Sequence, residues 1–142
     1  MSNAQACGCS AAPTLIFSCS GAADVGQIAD LAARQLTRDG VGKMFCIVGV
    51  GGRVSGIMAS TKAAARILAI DGCPLSCVKN CLQQAGIGGF HHLQLADLGM
   101  AKGKAPATDD RVAQAAAAGA AALAGQAVRC ETPAAAARPC CE

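Results

Sequence analysis

Apolar and polar positions fall in blocks along this chain, and the blocks predict a repeated strand–helix order. Leu15, Ile16 and Phe17 form a short apolar run ending at Ser18-Cys19-Ser20-Gly21, which predicts a first strand. Asp24 then caps a helix in which Val25, Ile28, Ala29, Ala32 and Leu36 recur at helical spacing until Gly40. Residues 44–50 form a second apolar run and predict a second strand. Beyond Gly51-Gly52, the positions Val54, Ile57, Met58 and Ala65 mark another helix. Residues 67–70 predict the third strand, which runs into Asp71-Gly72-Cys73-Pro74. Leu75, Val78, Leu82 and Ala85 mark the next helix face, stopped by Gly86, and residues 93–98 predict a fourth strand. Strands alternating with helices of this length predict a parallel sheet with right-handed crossovers. The expected fold is α/β: a small three-layer sandwich around a mostly parallel four-stranded sheet, Rossmann- or flavodoxin-like in its strand order.

This domain is expected to fill residues 14–128. Residues 1–13, small and polar with Cys7 and Cys9, predict a flexible arm. Thr108-Asp109-Asp110 opens an alanine-rich helix with an N-cap and an acidic first turn. Residues 129–142, with Pro133, Pro139, Cys130, Cys140 and Cys141, predict a flexible tail.

Composition narrows the function. A chain of 142 residues, 53% apolar, suits one domain with its own core. Only Phe17, Phe45 and Phe90 are aromatic, so platforms for stacking bases are nearly absent. A net charge of +3 without a basic cluster leaves no footprint for nucleic acid. No apolar run approaches the roughly 18 residues of a membrane helix, so no membrane partner is expected. Residues 1–13 hold no Lys or Arg and no apolar signal core, which predicts a cytoplasmic protein with reduced thiols.

In that setting ten cysteines read as metal or redox chemistry. Cys19 ends the first predicted strand, Cys46 lies in the second and Cys73 follows the third, at equal intervals. Open parallel sheets bind ligands beyond the carboxyl ends of their strands. Adjacent strands lie about 4.8 Å apart, close to the roughly 3.8 Å between thiolates that share one tetrahedral zinc. Pro74 suits a first helical position, which places Cys73 at the cap and Cys77 one turn inside. A helix N-terminus there favours thiolates. Gly21, Gly51, Gly52 and Gly72 would let backbone approach the site.

The stretches Phe17-Ser18-Cys19-Ser20-Gly21-Ala22-Ala23-Asp24-Val25-Gly26, Lys43-Met44-Phe45-Cys46 and Ile70-Asp71-Gly72-Cys73-Pro74-Leu75-Ser76-Cys77 resemble the DGC domain of bacteria and archaea, named for its Asp-Gly-Cys motif. The resemblance spans roughly residues 15–99. It implies zinc binding through four cysteines, here Cys19, Cys46, Cys73 and Cys77, and leaves the pathway and protein partner open. A four-thiolate site is coordinatively closed, so metal handling or sensing is expected rather than an independent catalytic activity. The rival reading uses the same cysteines for thiol–disulfide exchange or an iron–sulfur cluster.

Other motifs carry less. Cys81 shares the helix face of Cys77 and is expected in the core. The loop from Gly49 to Arg53 misses the dinucleotide fingerprint because Val54 stands at its third glycine position. Cys19-Ser20-Gly21 fails as a phosphatase loop because Val25 stands where the arginine belongs. His91 and His92 are expected ahead of the fourth strand, facing solvent at the amino edge. Met100 is expected to pack, and Asp71 either to support a ligand or to cap the following helix. The roles of Cys7, Cys9, Cys130, Cys140 and Cys141 stay open.

Overall fold

The computed structural model describes residues 11–126 and the backbone of residues 129–130. Cys7, Cys9, Cys140 and Cys141, with most of the expected arm and tail, lie outside the described residues. The elements run β1 (Thr14–Ser18), α1 (Asp24–Arg38), β2 (Lys43–Met44), α2 (Ile47–Gly51), α3 (Ser55–Lys62), β3 (Arg66–Asp71), α4 (Cys77–Gln84), β4 (Phe90–Gln94), a 3-10 turn (Leu95–Leu98), α5 (Asp109–Ala121) and β5 (Arg129–Cys130). The sheet order is β2-β1-β3-β4-β5. Its first four strands are parallel, as expected, and β5 adds a short antiparallel edge to β4. Arg129 and Cys130, which the sequence reading assigned to the tail, therefore extend the sheet. Among the described residues no helix is long and apolar enough to cross a membrane.

Strand period divides the core into two layers, because successive side chains point to opposite faces. Ile16, Leu68 and Ile70 meet Ile28, Ala32 and Leu36 of α1 and Val112 and Ala115 of α5. Leu15, Phe17, Ile67 and Ala69 meet Val50, Val78 and Leu82 on the other face. Met100 is buried in the first layer, a packing methionine as expected. Thr108 caps α5, its Oγ1 accepting from the Arg111 N–H at 3.4 Å.

The apolar run at residues 44–50 is not a strand. β2 stops at Met44, and the Cys46 Sγ accepts from the Gly49 N–H at 3.3 Å, capping the short helix α2. Val48 is 79% exposed and Val50 0%, although a strand would put both on one face. Cys46 is thus a helix cap rather than a mid-strand residue. The fourth strand also lies earlier than expected, at Phe90–Gln94, and Leu95–Leu98 coil into the 3-10 turn. His91 and His92 are consequently strand residues. His91 is buried, and His92 is bonded to a side chain at the end of β3.

Asp24 occupies the first turn of α1 instead of the cap, and it ties that turn to a distant loop. Its carboxylate accepts from the N–H groups of Gly103 at 2.8 Å and Ala105 at 2.9 Å. Those two bonds, and then the one from Val25, hold Asp24 below the usual carboxylate range. A depressed carboxyl stabilises the fold above its ordinary pKa, and the stabilisation disappears as pH falls through the depressed value. Asp24→Asn should therefore unfold more easily than wild type near neutral pH. Urea midpoints of the two proteins should converge in acid.

Candidate thiol centre at the carboxyl edge of the sheet

Cys19 follows β1 directly, and its N–H continues the ladder to the Ile70 carbonyl at 2.9 Å. Cys73 lies in the loop after β3, half-buried, with its carbonyl accepting from the Ser76 N–H and from Gln94 Nε2. Cys77 is the first residue of α4, so the helix begins later than Pro74 suggests and Cys73 precedes its cap. Cys19, Cys73 and Cys77 line one hollow of about 430 Å³ at the carboxyl edge. One wall is formed by Gly21, Ala22, Ala23, Val25 and Gly26 packed against Gly72.

That wall is a backbone-to-backbone contact. A methyl group on Gly72 would lie 2.9 Å from the carbonyl carbon and oxygen of Val25, and one on Gly26 would lie 2.8 Å from the Gly21 oxygen. The glycines let the loops bearing Cys19 and Cys73 pack without side chains between them.

The start of α4 is held from outside the helix. Ser76, its N-cap residue, has the left-handed φ of 51° and makes no side-chain cap bond. Asp71, 1% exposed at the end of β3, takes over the capping. Its Oδ1 accepts from the Val78 N–H at 2.8 Å and its Oδ2 from the Lys79 N–H at 3.0 Å. His92 Nε2 stands 2.9 Å from the same Oδ2, within hydrogen-bond distance. The expected capping role of Asp71 is thus present, and a histidine partner joins it.

Desolvation pushes the Cys77 thiol up, and the neighbouring charges of Cys19, Asp71 and Cys73 push it in the same direction. Desolvation also raises Cys81, opposed by the Arg53 guanidinium.

Of the four expected ligands, three border one hollow and one does not. Cys46 is exposed, is engaged with the Gly49 N–H, and does not line this hollow. Among the described residues no three His, Cys, Asp or Glu side chains stand together in an arrangement that could hold a metal ion. The structure thus brings Cys19, Cys73 and Cys77 to one hollow and leaves Cys46 outside it.

Sequence reasoning missed His92 and Gln94. Both sit on β4, whose register places Gln94 beside Asp71 and His92 beside Ala69. Placing the strand correctly at Phe90 would have brought both to the carboxyl half of the sheet.

A parallel α/β sheet with thiols gathered at its carboxyl edge defines a small cysteine-centred domain. The DGC domain family model matches residues 15–119, and the chain belongs to that family. It is also similar to the Anaerobic and virulence modulator AnvM of Pseudomonas aeruginosa, at 41% identity over 88 residues, covering 62% of this chain and 67% of the relative. No solved structure matches the chain.

Proposed function

We propose that this domain binds a soft metal ion, zinc foremost, at the carboxyl edge of its sheet, in a metal-handling or sensing role. The observation that carries the reading is the convergence of Cys19, Cys73 and Cys77 on one hollow from two strand ends and a helix start. Thiolates crowded there repel one another, and a bound cation turns that repulsion into attraction. The metal reading takes the cytoplasm as its setting, where thiols remain reduced.

The redox reading draws support from the relative, whose name ties it to anaerobic modulation. Metal analysis of protein purified under reducing, oxygen-free conditions separates the two. About one equivalent of zinc in the wild type, lost in Cys73→Ser, is the expected result. A visible absorption band without added metal would instead indicate an iron–sulfur cluster. Metal-free protein with a reversible disulfide among Cys19, Cys73 and Cys77 would establish the redox reading.

A further inference from the structure

We propose that the carboxyl edge of the sheet, on its α2 side, binds an uncharged and largely apolar small molecule that covers the thiols of Cys19, Cys77 and Cys81 when it is seated.

A second hollow, of about 530 Å³, lies between α2 and α4 and shares Cys19 and Cys77 with the first. Sites for small molecules commonly hold about 300–1,000 Å³. Its walls are Ile47, Val48, Gly51 and Gly52 on the α2 side and Val78 and Cys81 on the α4 side. Among the described residues no charged side chain lines it. Three large apolar side chains are exposed among the described residues; Val48, at 79%, lines this hollow, and Leu75, at 67%, lines the first. Exposed apolar surface gathered around a concave site marks a place where a ligand is gained by burial.

The topology supplies an independent reason for a ligand here. β1 and β3 are neighbours in the sheet, yet α1, which follows β1, packs on one face and α4, which follows β3, on the other. The chain order reverses between these two strands, and the crevice beyond their carboxyl ends is where open α/β sheets take ligands.

Charge decides the class of ligand. Such crevices often hold a phosphate at a helix N-terminus. Both N-termini here already carry a carboxylate. Asp24 accepts from the Val25 N–H at 2.9 Å at the start of α1, and Asp71 accepts from the Val78 and Lys79 N–H groups at the start of α4. An anion would meet two negative charges and backbone donors that are already paired. Arg53, which follows α2, offers no counter-charge inside the hollow. Its guanidinium donates to the Val50 carbonyl at 2.7 Å and the Gln84 carbonyl at 2.9 Å, and the residue does not line the walls. An apolar lining with closed anion positions selects a neutral molecule. Because Cys19 and Cys77 border both hollows, occupancy of the second shields thiols of the first and couples the ligand's concentration to their reactivity.

The test uses the full-length reduced protein and a matched pair of dyes, neutral N-phenylnaphthylamine and its sulfonated analogue anilinonaphthalenesulfonate, both of which fluoresce on leaving water. About one equivalent of the neutral dye should bind saturably, and the sulfonate about tenfold more weakly. Alkylation resolved peptide by peptide should slow at Cys19, Cys77 and Cys81 when the neutral dye is present. It should stay unchanged at Cys130 on β5, which pairs with the start of β4. This protection pattern needs no variant. Neither readout involves a metal, so failure of the metal reading leaves the result intact. Gly51→Leu puts a side chain into the hollow, since a methyl group at that position meets nothing closer than the Cys81 Sγ at 3.5 Å. It should weaken binding of the neutral dye about tenfold. No saturable binding, binding that leaves Cys77 and Cys81 as reactive as before, or undiminished binding by Gly51→Leu would overturn the site. A sulfonate bound as tightly as the neutral dye would overturn the ligand class.

Discussion

Asp71→Ala should lose about 3 kcal/mol of folding stability. The side chain is 1% exposed and accepts from the Val78 N–H, the Lys79 N–H and His92 Nε2. A hydrogen bond to a charged group contributes about 1.5–3 kcal/mol, and a buried donor left unpaired costs about 1–3 kcal/mol. The three bonds share one carboxylate and are not additive, which brings the sum down to the value given. His92→Ala removes only one of the bonds and should lose about 1 kcal/mol. Urea unfolding at fixed pH measures both. An Asp71→Ala loss no larger than that of His92→Ala would mean that water replaces the backbone bonds and that α4 does not depend on its strand-borne cap.

Gly72→Ala should lose about 2–3 kcal/mol, within the usual range for overpacking. The added methyl would meet the carbonyl carbon and oxygen of Val25 at 2.9 Å and the Gly26 nitrogen at 3.1 Å. All are backbone atoms, so no side chain can rotate aside, and the loop carrying Cys73 must move. Labelling of Cys73 should speed up along with the fall in stability. Gly56→Ala on α3 is the control, since a methyl there meets nothing within 4 Å. It should gain up to about 1 kcal/mol from helix propensity. Equal behaviour of the two variants would show that the glycine wall has slack.

Much of this was readable from the chain. The burial of α1, the order of the parallel strands and the Thr108 cap all follow from spacing and cap chemistry. The errors have physical causes. Residues 44–50 read as a strand because a short apolar run fits either period, and only Gly49 inside it argues against one. β4 was misplaced because His91 and His92 look like surface residues, whereas one is buried and the other is bonded to Asp71. At the site, Cys19 and Cys73 were placed by strand ends, which sequence marks well. Cys81 packs against the core as expected, but Cys46 was not placed, because its thiol follows a single local bond from the Gly49 N–H. Such contacts leave no periodic trace.

The two edges of the sheet bear on how this chain behaves in a crowded solution. β2 and β5 are each two residues long, and they flank strands of five and six residues. Among the described residues, β2 and β5 themselves each offer a strand from another molecule only a two-residue template. So few backbone bonds do not offset the freedom lost on association, and isolated two-stranded pairing is marginal in water. β3 is enclosed between β1 and β4, β2 covers Leu15 and Ile16 of β1, β5 covers Phe90 and His91 of β4, and Lys43 adds a charge to one rim. Pairing through β2 or β5 is thereby disfavoured in this alanine-rich chain with ten thiols.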